Sequence, residues 1–189
     1  DKRVGEAISK TIDRDAIVAR IMGGVAVAAG ELLPPVLFGA NKDMKAPKPD
    51  LDGAKKLLAE AGYPNGFSLV LATPNDRYVN DAMIAQAVAQ MLTRAGLKVS
   101  LDAMTQSQFF PRRNKRDFGI WLAGWGSDTG EMASPLKALI ATPNRDKGMG
   151  PSNAGGYSNP KVDALLEQAL ATVDDGKRAA LLAEASRTA

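Results

Sequence analysis

The 189-residue sequence contains neither cysteine nor histidine. Without cysteine the chain can form no disulfide bond and offers no thiol nucleophile. Without histidine it lacks the base of the usual serine triads and the ligand on which most zinc and iron sites depend. These absences exclude several large classes of enzyme and metal centre, and we expect neither a metal site nor a cofactor.

Aromatic residues are also scarce, at 5%, whereas hydrophobic residues make up 45% and charged residues 24%. This is the composition of an ordinary globular domain with a core of Ala, Leu, Val and Ile. The longest apolar region, residues 21–40, is interrupted by Glu31, Pro34 and Pro35 and therefore fails as a membrane span. The net charge of +3 is too small to indicate a polyanionic partner.

The sequence begins with "DKRVGEAISK", which has neither an initiator methionine nor the apolar region of a signal peptide. Its length fits one domain or one large lobe, and no linker divides it. We therefore expect residues 1–189 to be one piece of a longer protein.

Helices are predicted over three segments whose apolar residues recur every three or four positions. The first, "DLDGAKKLLAEAG", is capped by Asp50 or Asp52 and ended by Gly62. The second is "VNDAMIAQAVAQMLTRAG". The third, "NPKVDALLEQALATVDDG", begins with Asn159 as its N-cap and carries Val173 on its apolar face, and the following "DDGKR" is interpreted as a turn.

Strands are predicted between and after these helices, in "FSLVLAT", "LKVSLDA" and "FGIWLAG", which occupy residues 67–73, 97–103 and 118–124. The alternation of helix and strand predicts an α/β fold with a mostly parallel or mixed sheet flanked by helices. Residues 23–49 are rich in glycine and proline and are expected to form an irregular segment over that layer.

The stretch "LAGWGSDTGEM" combines tryptophan, glycine and aspartate where the third strand ends. If the strand continued, Trp121 and Trp125 would face the same way, and Asp128 would lie where open α/β sheets bind their ligands. In the alternative interpretation, both tryptophans are core residues and Asp128 starts a turn or caps the next helix. Glycine at three positions would allow a ligand close to the backbone: Gly124, Gly126 and Gly130.

The segment "SPLK" has the S-x-x-K spacing in which Lys137 could activate Ser134 as a nucleophile. In serine acyltransferases of that kind an S-D-N element and a K-T-G strand follow, whereas here "SDT" comes first and no KTG exists. The alternative is that Ser134 caps a helix whose first residue is Pro135. A serine hydrolase is therefore only a weak alternative.

The basic cluster "RRNKR", residues 112–116, could contact phosphates. No aromatic residue is interleaved with its cations, and a short run of charge on a helix is usually a solvated face. We expect no nucleic-acid partner.

Five segments, taken together and in order, resemble the C-terminal lobe of the extracellular solute-binding proteins of family 5: "AISKTIDRDAIVARIMGG", "DLDGAKKLLAEAGYPNGFSLVLATPNDRY", "LTRAGLKVSLD", "DFGIWLAGWGSDTG" and "YSNPKVDALLEQAL". These are the dipeptide, oligopeptide and nickel type binding components of bacterial ABC importers. The resemblance implies a type II periplasmic-binding-protein lobe of a two-lobed protein. It places the N-terminal lobe and the final return segment outside residues 1–189.

The resemblance also implies the function and the site. It implies a monomeric, non-catalytic protein that delivers a short peptide to a membrane permease. The expected location is periplasmic or extracellular, with a lipid anchor as an option in the parent protein. Asp128 in "GWGSD" matches the aspartate that pairs with the peptide's α-amino group, and Arg77 in "TPNDRY" matches the arginine that pairs with its carboxylate. Trp125 would pack beside the peptide backbone, and three further residues would complete the contacts: Gly124, Gly126 and Ser127.

Two features leave alternatives open. Many members read Asp-Pro shortly after the aspartate, whereas this chain reads "TGEMASP". Arg77 could instead form a surface ion pair with Asp76. The alternative within the family is a non-peptide solute such as an opine, a sugar or a metal chelate.

Overall fold

The predicted strands form one parallel sheet with the order β2-β1-β3 in the computed structural model of residues 1–189. The central strand β1 pairs with β2 over seven residues and with β3 over two. The α/β prediction is therefore confirmed. The strands are β1 (Ser68–Pro74), β2 (Lys98–Met104) and β3 (Ile120–Trp121).

The third strand is shorter than predicted, because β1 cannot continue the ladder. The last rung is the bond from the Leu122 N–H to the Ala72 carbonyl, at 2.9 Å. Residue 74 would donate the next bond of a parallel ladder, but it is proline and has no N–H. The prediction of a strand through Gly124 was wrong, so the condition under which Trp121 and Trp125 would share one strand face is not met.

The chain forms two units, which it enters alternately. The sheet unit comprises residues 1–28 and 47–124, and the helical unit comprises residues 29–46 and 125–189. Residues 29–46 were expected to lie over the sheet, but they belong to the helical unit, where the Phe38 N–H donates to the Gly130 carbonyl. That residues 1–189 form one lobe of a longer protein stays a prediction.

Helices pack around the sheet in the sheet unit, and capping residues set their ends. The Asp50 carboxylate accepts from the Gly53 N–H at 2.9 Å and begins the third helix, while Gly62 ends it with a φ of +92°. The core contains fully or nearly fully buried Leu58, Leu71 and Leu92. The helices are α1 (Lys2–Thr11), α2 (Arg14–Arg20), α3 (Leu51–Glu60), α4 (Asp81–Arg94) and α5 (Gln106–Asn114).

The helical unit has its own core, built around Met132, Leu136, Val162 and Leu182, all fully buried. As predicted, Asn159 caps a helix that begins with proline. The elements are α6 (Ala133–Pro135), which runs directly into a π-helical turn (Leu136–Ile140), and then α7 (Pro160–Ala171) and α8 (Asp175–Thr188).

The junction between α7 and α8 differs from the prediction. Helix α7 ends at Ala171, and Thr172 is extended, so Val173 is 94% exposed rather than part of an apolar face. Asp174 caps α8 by accepting from the Lys177 N–H at 2.8 Å. The segment "DDGKR" is therefore the start of a helix, because its first aspartate provides a stronger helix-initiating signal than its glycine provides a turn signal.

The connection from β1 to α4 is closed by Asp81, whose side chain is buried at the start of the helix. Its Oδ2 accepts from the N–H groups of Arg77 and Tyr78, each at 3.0 Å, and its Oδ1 accepts from the Ala82 N–H at 2.8 Å. Burial raises the pKa of this carboxyl, but these N–H groups outweigh burial, so its pKa lies below the ordinary value of 3.8. The carboxylate therefore fixes the loop that follows β1.

The turn that leads into β1 provides the first testable prediction. A Cβ on Gly66 would overlap the carbonyl oxygen of Gly96, whereas a Cβ on Gly62 would meet open space. Both residues have positive φ, so Gly62→Ala should cost about 1–2 kcal/mol from strain alone. Gly66→Ala should cost at least about 3 kcal/mol, because the backbone must also move. Urea unfolding of both variants checks this, and equal midpoints would contradict it.

Asp81 provides a second prediction, about pH. Because its pKa is depressed in the folded state, its stabilisation is present above the ordinary pKa of 3.8 and is lost as the pH falls below that value through the folded pKa. Asp81→Asn should therefore lower the free energy of unfolding by about 1–3 kcal/mol at pH 7. The difference from wild type should shrink at pH 3.

Urea unfolding at the two pH values measures this difference. The matched control is Asp146→Asn, because Asp146 is exposed in a turn and its carboxylate makes no hydrogen bond or ion pair. A loss of stability in Asp81→Asn that is equally large at both pH values would show that the charge of Asp81 is not the cause.

Candidate functional site

Loops from all three strands meet at the carboxyl edge of the sheet, because parallel strands end on the same side. The Asn75 N–H donates to the Met104 carbonyl at 2.9 Å, which ties the end of β1 to the end of β2. The Asp76 carboxylate accepts from the Gln106 N–H at 2.7 Å, at the first residue of α5. These bonds fix residues 75–78 at this edge of the sheet, where Arg77 was predicted to contribute to a site. Residues 75–78 are called the rim.

Arg77 presents a free guanidinium at this rim. Its backbone N–H is held by Asp81, but its exposed side chain forms no hydrogen bond and no ion pair. The alternative of an ion pair with Asp76 was wrong, because the Asp76 carboxylate faces the start of α5. The only partner of the guanidinium is the ring of Tyr78, whose centroid lies 5.3 Å from Cζ. The donors of Arg77 are therefore available to an anion.

Tyr78 is a residue of this rim that the sequence analysis missed. Its half-buried ring lies against Gly124, where an added Cβ would come within 2.8 Å of the ring atom Cε1. Its hydroxyl is 3.5 Å from the Gly124 carbonyl oxygen, which is a long contact. Gly124 thus has a packing reason to be glycine. The signal that could have found Tyr78 is its place between Arg77 and the N-terminal residues of the next helix.

The two tryptophans have different environments. Trp121 is half-buried and packs against the cluster formed by Phe109 and Phe118 in the sheet unit. Trp125 belongs to the helical unit and is 37% exposed. The interpretation that both are core residues was therefore wrong for Trp125, whose indole is available for contact.

Asp128 lies in an exposed turn of the helical unit. The Gly130 N–H donates to the Ser127 carbonyl at 3.3 Å, and the Ser127 hydroxyl donates to the Glu131 carbonyl at 3.2 Å. The Asp128 carboxylate has no hydrogen bond and no ion pair. The alternative that it caps the next helix was wrong, since Met132 precedes α6 and no side chain caps it.

Glu131 is a nearby acidic residue whose charge, unlike that of Asp128, is paired. Glu131 pairs with Arg178 at 2.8 Å, and both side chains are largely buried. Asp128, three residues earlier, has no such cation. Its negative charge is therefore exposed and uncompensated within the chain.

The predicted site residues divide between the two units. The sheet unit holds Arg77 and Gly124, and the helical unit holds Trp125, Gly126, Ser127 and Asp128. In the sheet unit the structure brings Gly124 to Tyr78, and in the helical unit Ser127 and Asp128 share one turn. That Arg77 and Asp128 meet around one ligand stays a prediction.

The pair required by the S-x-x-K motif is not formed. Ser134 lies in the second position of α6, and its hydroxyl shares no hydrogen bond with the Lys137 ammonium. The alternative role of Ser134 as a helix cap was also wrong, because the helix starts earlier and Met132 takes that position. Neither interpretation of the motif from the sequence fits the structure.

Two of the four cations in the basic cluster 112–116 are engaged within the sheet unit. Arg112 forms an ion pair with Asp102 at 3.0 Å, and its Cζ lies 4.6 Å from the Phe118 ring centroid. Arg113 lies 5.2 Å from the Phe110 ring centroid. These contacts give the cluster a structural role in holding α5 to its surroundings.

A separate groove of about 380 Å³ lies between α2 and α4, and none of the predicted site residues line it. Its walls include Ile17, Met91 and the exposed Arg20 and Arg94. The rim in the sheet unit and the 127–130 turn in the helical unit are instead two separate candidate regions, because each has an unpaired charge on a hydrogen-bonded backbone. The acidic residues form no group of three that could bind a metal ion, and no helix is both long and apolar enough to cross a membrane.

Two bacterial binding proteins are similar in sequence to nearly the whole chain. Heme-binding protein A of Haemophilus influenzae is 28% identical over 189 residues, covering 97% of this chain and 33% of that protein. Glutathione-binding protein GsiB of Escherichia coli (strain K12) is 32% identical over 184 residues, covering 95% and 35%. The chain thus spans about a third of the length of the curated relatives that it matches.

A solved structure has the same fold. The ABC transporter-associated periplasmic binding protein DppA from Helicobacter pylori, in complex with peptide STSA, superposes with a TM-score of 0.87 at 26% identity. The superposition covers 98% of this chain and 35% of DppA. The expected fold of type II periplasmic binding proteins is therefore confirmed.

The family profile described as "Bacterial extracellular solute-binding proteins, family 5 Middle" matches residues 1–147, which is most of the chain. The parallel sheet, the loops at its carboxyl edge and helices α1 to α6 fall within this match, whereas α7 and α8 lie beyond it. The chain belongs to the bacterial extracellular solute-binding proteins of family 5.

Proposed function

We propose that this chain is part of the substrate-binding component of an ABC importer, which captures a short peptide and delivers it to a membrane permease. The observation that carries the proposal is a pair of opposite charges, Arg77 and Asp128, that are exposed and unpaired on turns with fixed backbones. A peptide with free ends carries the complementary pair, a carboxylate and an ammonium. The protein would act in the periplasm or outside the cell, as its family name describes.

Arg77 is suited to the carboxylate end. A guanidinium presents two parallel N–H donors to a carboxylate, and such a bidentate pair is among the stronger hydrogen-bonded contacts in proteins. The backbone of Arg77 is already held by Asp81, so binding requires only the side chain to become ordered. A smaller entropy loss means that more of the interaction free energy contributes to affinity.

Asp128 is suited to the ammonium end. Its carboxylate accepts no hydrogen bond within the chain, so a ligand ammonium would not compete with an existing partner. Trp125 adds an exposed indole three residues earlier, which could pack beside the ligand backbone. Two residues of an extended peptide span about 7 Å, which sets the scale of the separation that the two charged groups need.

The relatives support a peptide and also the main alternative. GsiB is named as a glutathione-binding protein, and glutathione is a tripeptide with charged ends. The DppA structure contains the peptide STSA. Heme-binding protein A favours a non-peptide solute as the second candidate, and for such a ligand Asp128 need not meet an amine.

Catalysis is not part of the proposal. Binding and release of an unmodified peptide need no nucleophile, and the chemistry required is ion pairing and burial. The chain spans about a third of the length of these relatives. Binding is therefore measured on the two-lobed protein that the family resemblance implies, in the present numbering.

The role of Asp128 predicts how affinity depends on the peptide's amino end. Asp128→Asn should weaken binding of trialanine by at least about tenfold, since a charge-assisted bond of about 1.5–3 kcal/mol is lost. N-acetyl-trialanine should bind weakly to wild type and should lose little further affinity in the variant. Isothermal titration calorimetry measures the dissociation constants.

The control for Asp128 is Asp146→Asn, which removes another exposed and unpaired aspartate of the helical unit. It should leave both dissociation constants unchanged. Equal affinity of Asp128→Asn and wild type for trialanine would remove Asp128 from the site.

The role of Arg77 predicts a complementary dependence on the carboxyl end. Arg77→Gln should weaken binding of trialanine by about tenfold but leave the affinity for trialanine amide within a factor of about two. Arg145→Gln is the matched control, because Arg145 is exposed and forms no ion pair. If Arg77→Gln weakened the binding of both peptides equally, the guanidinium would not be the group that pairs with the peptide carboxylate.

A further inference from the structure

The loop between β1 and α4, residues 75–80, is anchored at nearly every position. Asn75 bonds to the end of β2, and Asp76 bonds to the start of α5. Asn80 has a left-handed backbone with a φ of +55°, and its amide donates to the Ile21 carbonyl at 2.9 Å. The side chains of Asp76 and Asn80 and the backbone of Asn75 are thus engaged within the sheet unit, whereas the Arg77 side chain forms no hydrogen bond.

The side chain of Arg77 would be mobile if nothing restrained it. Long cationic side chains at a surface carry about 2 kcal/mol of rotamer entropy, which opposes ordering on a ligand. The Tyr78 ring lies within cation–π distance, 5.3 Å from the Arg77 Cζ. The guanidinium forms no hydrogen bond and no ion pair, so this ring is its one side-chain contact of these kinds.

Tyr78 is itself held by a backbone hydrogen bond and by packing of its ring. Its backbone N–H donates to Asp81, and its ring lies against the backbone of Gly124. A side chain at residue 124 would occupy the space of the ring, since a Cβ there would lie 2.8 Å from Cε1. Gly124 therefore provides the flat backbone surface on which the ring rests.

We propose that Tyr78 is a positioning residue, whose ring, packed on Gly124, restrains the Arg77 guanidinium at the carboxyl edge of the sheet. The restraint prepares Arg77 to pair with an anionic group of the ligand. This consequence for binding rests on the proposed function of Arg77, whereas the restraint itself is a property of the chain without ligand.

The restraint can be measured by NMR on the 189-residue chain without any ligand. A proton above an aromatic ring is shifted upfield, so the Arg77 Hε resonance should lie upfield of that of Arg145, which has no aromatic ring in such a position. The spectrum of Arg77→Lys assigns the resonance, because that variant lacks it. Tyr78→Phe should keep the shift, and Tyr78→Leu should move the resonance to the position seen for Arg145.

A second variant keeps the test valid if Tyr78→Leu does not fold. Gly124→Ala leaves both Arg77 and Tyr78 in the chain but forces the ring to move. It should therefore change the Arg77 Hε shift as well. An Arg77 Hε resonance that is the same in wild type, Tyr78→Leu and Gly124→Ala would overturn the proposal.

Binding measurements separate this inference from the proposed function. In the two-lobed protein, Tyr78→Leu should weaken the binding of trialanine about two- to five-fold. Tyr78→Phe should bind trialanine with wild-type affinity. The affinity for trialanine amide should be the same in both variants and in wild type. If Arg77→Gln lowers trialanine affinity but Tyr78→Leu does not, the positioning role fails alone. If Arg77→Gln has no effect, the proposed role of Arg77 fails, and the NMR result still decides whether Tyr78 restrains it.

Discussion

The loop that carries Arg77 depends on the hydrogen bonds that the buried carboxylate of Asp81 accepts. This carboxylate accepts the N–H groups of Arg77 and Tyr78 at the start of α4, so the helix and the loop that precedes it form one unit. The same carboxylate also accepts from the Ala82 N–H, so three backbone donors at the start of the helix share one acceptor group. The loop therefore has a defined shape before any ligand arrives.

The contacts around Arg77 explain how a short parallel sheet can hold a positive charge at its carboxyl edge. The strands bring three loops to one edge, but a loop alone would leave Arg77 free to move. Asp81 fixes its backbone, and the Tyr78 ring on Gly124 limits its side chain. In the helical unit, the turn at Ser127 and Gly130 similarly holds the backbone around Asp128 and leaves its carboxylate free.

Much of the fold could be predicted from the sequence because its signals are local. Asn159 followed by proline, Asp50 before an apolar repeat, and the glycine that ends α3 each act within a few residues. The length of β3 could not be predicted in this way. It depends on which neighbour faces the missing N–H of Pro74, and that is known only once the strand order is known.

The candidate site residues rest on a different kind of signal. The family resemblance predicts Asp128 and Arg77, but their lack of partners depends on where distant groups lie, such as the start of α5 that engages Asp76. Tyr78 was missed because its importance comes from contact with Gly124, 46 residues away. A sequence pattern shows an aromatic residue but not the backbone surface on which it rests.

The central claim, that opposite unpaired charges capture a peptide by its two ends, is tested most directly by the ligand that the protein carries. Native mass spectrometry of the two-lobed protein, purified from a bacterial host and gently activated, reads the mass of whatever is released. We predict a series of masses that correspond to short peptides with free ends. Release of one non-peptide compound, such as a heme or a metal chelate, would contradict the claim while leaving the solute-binding fold intact.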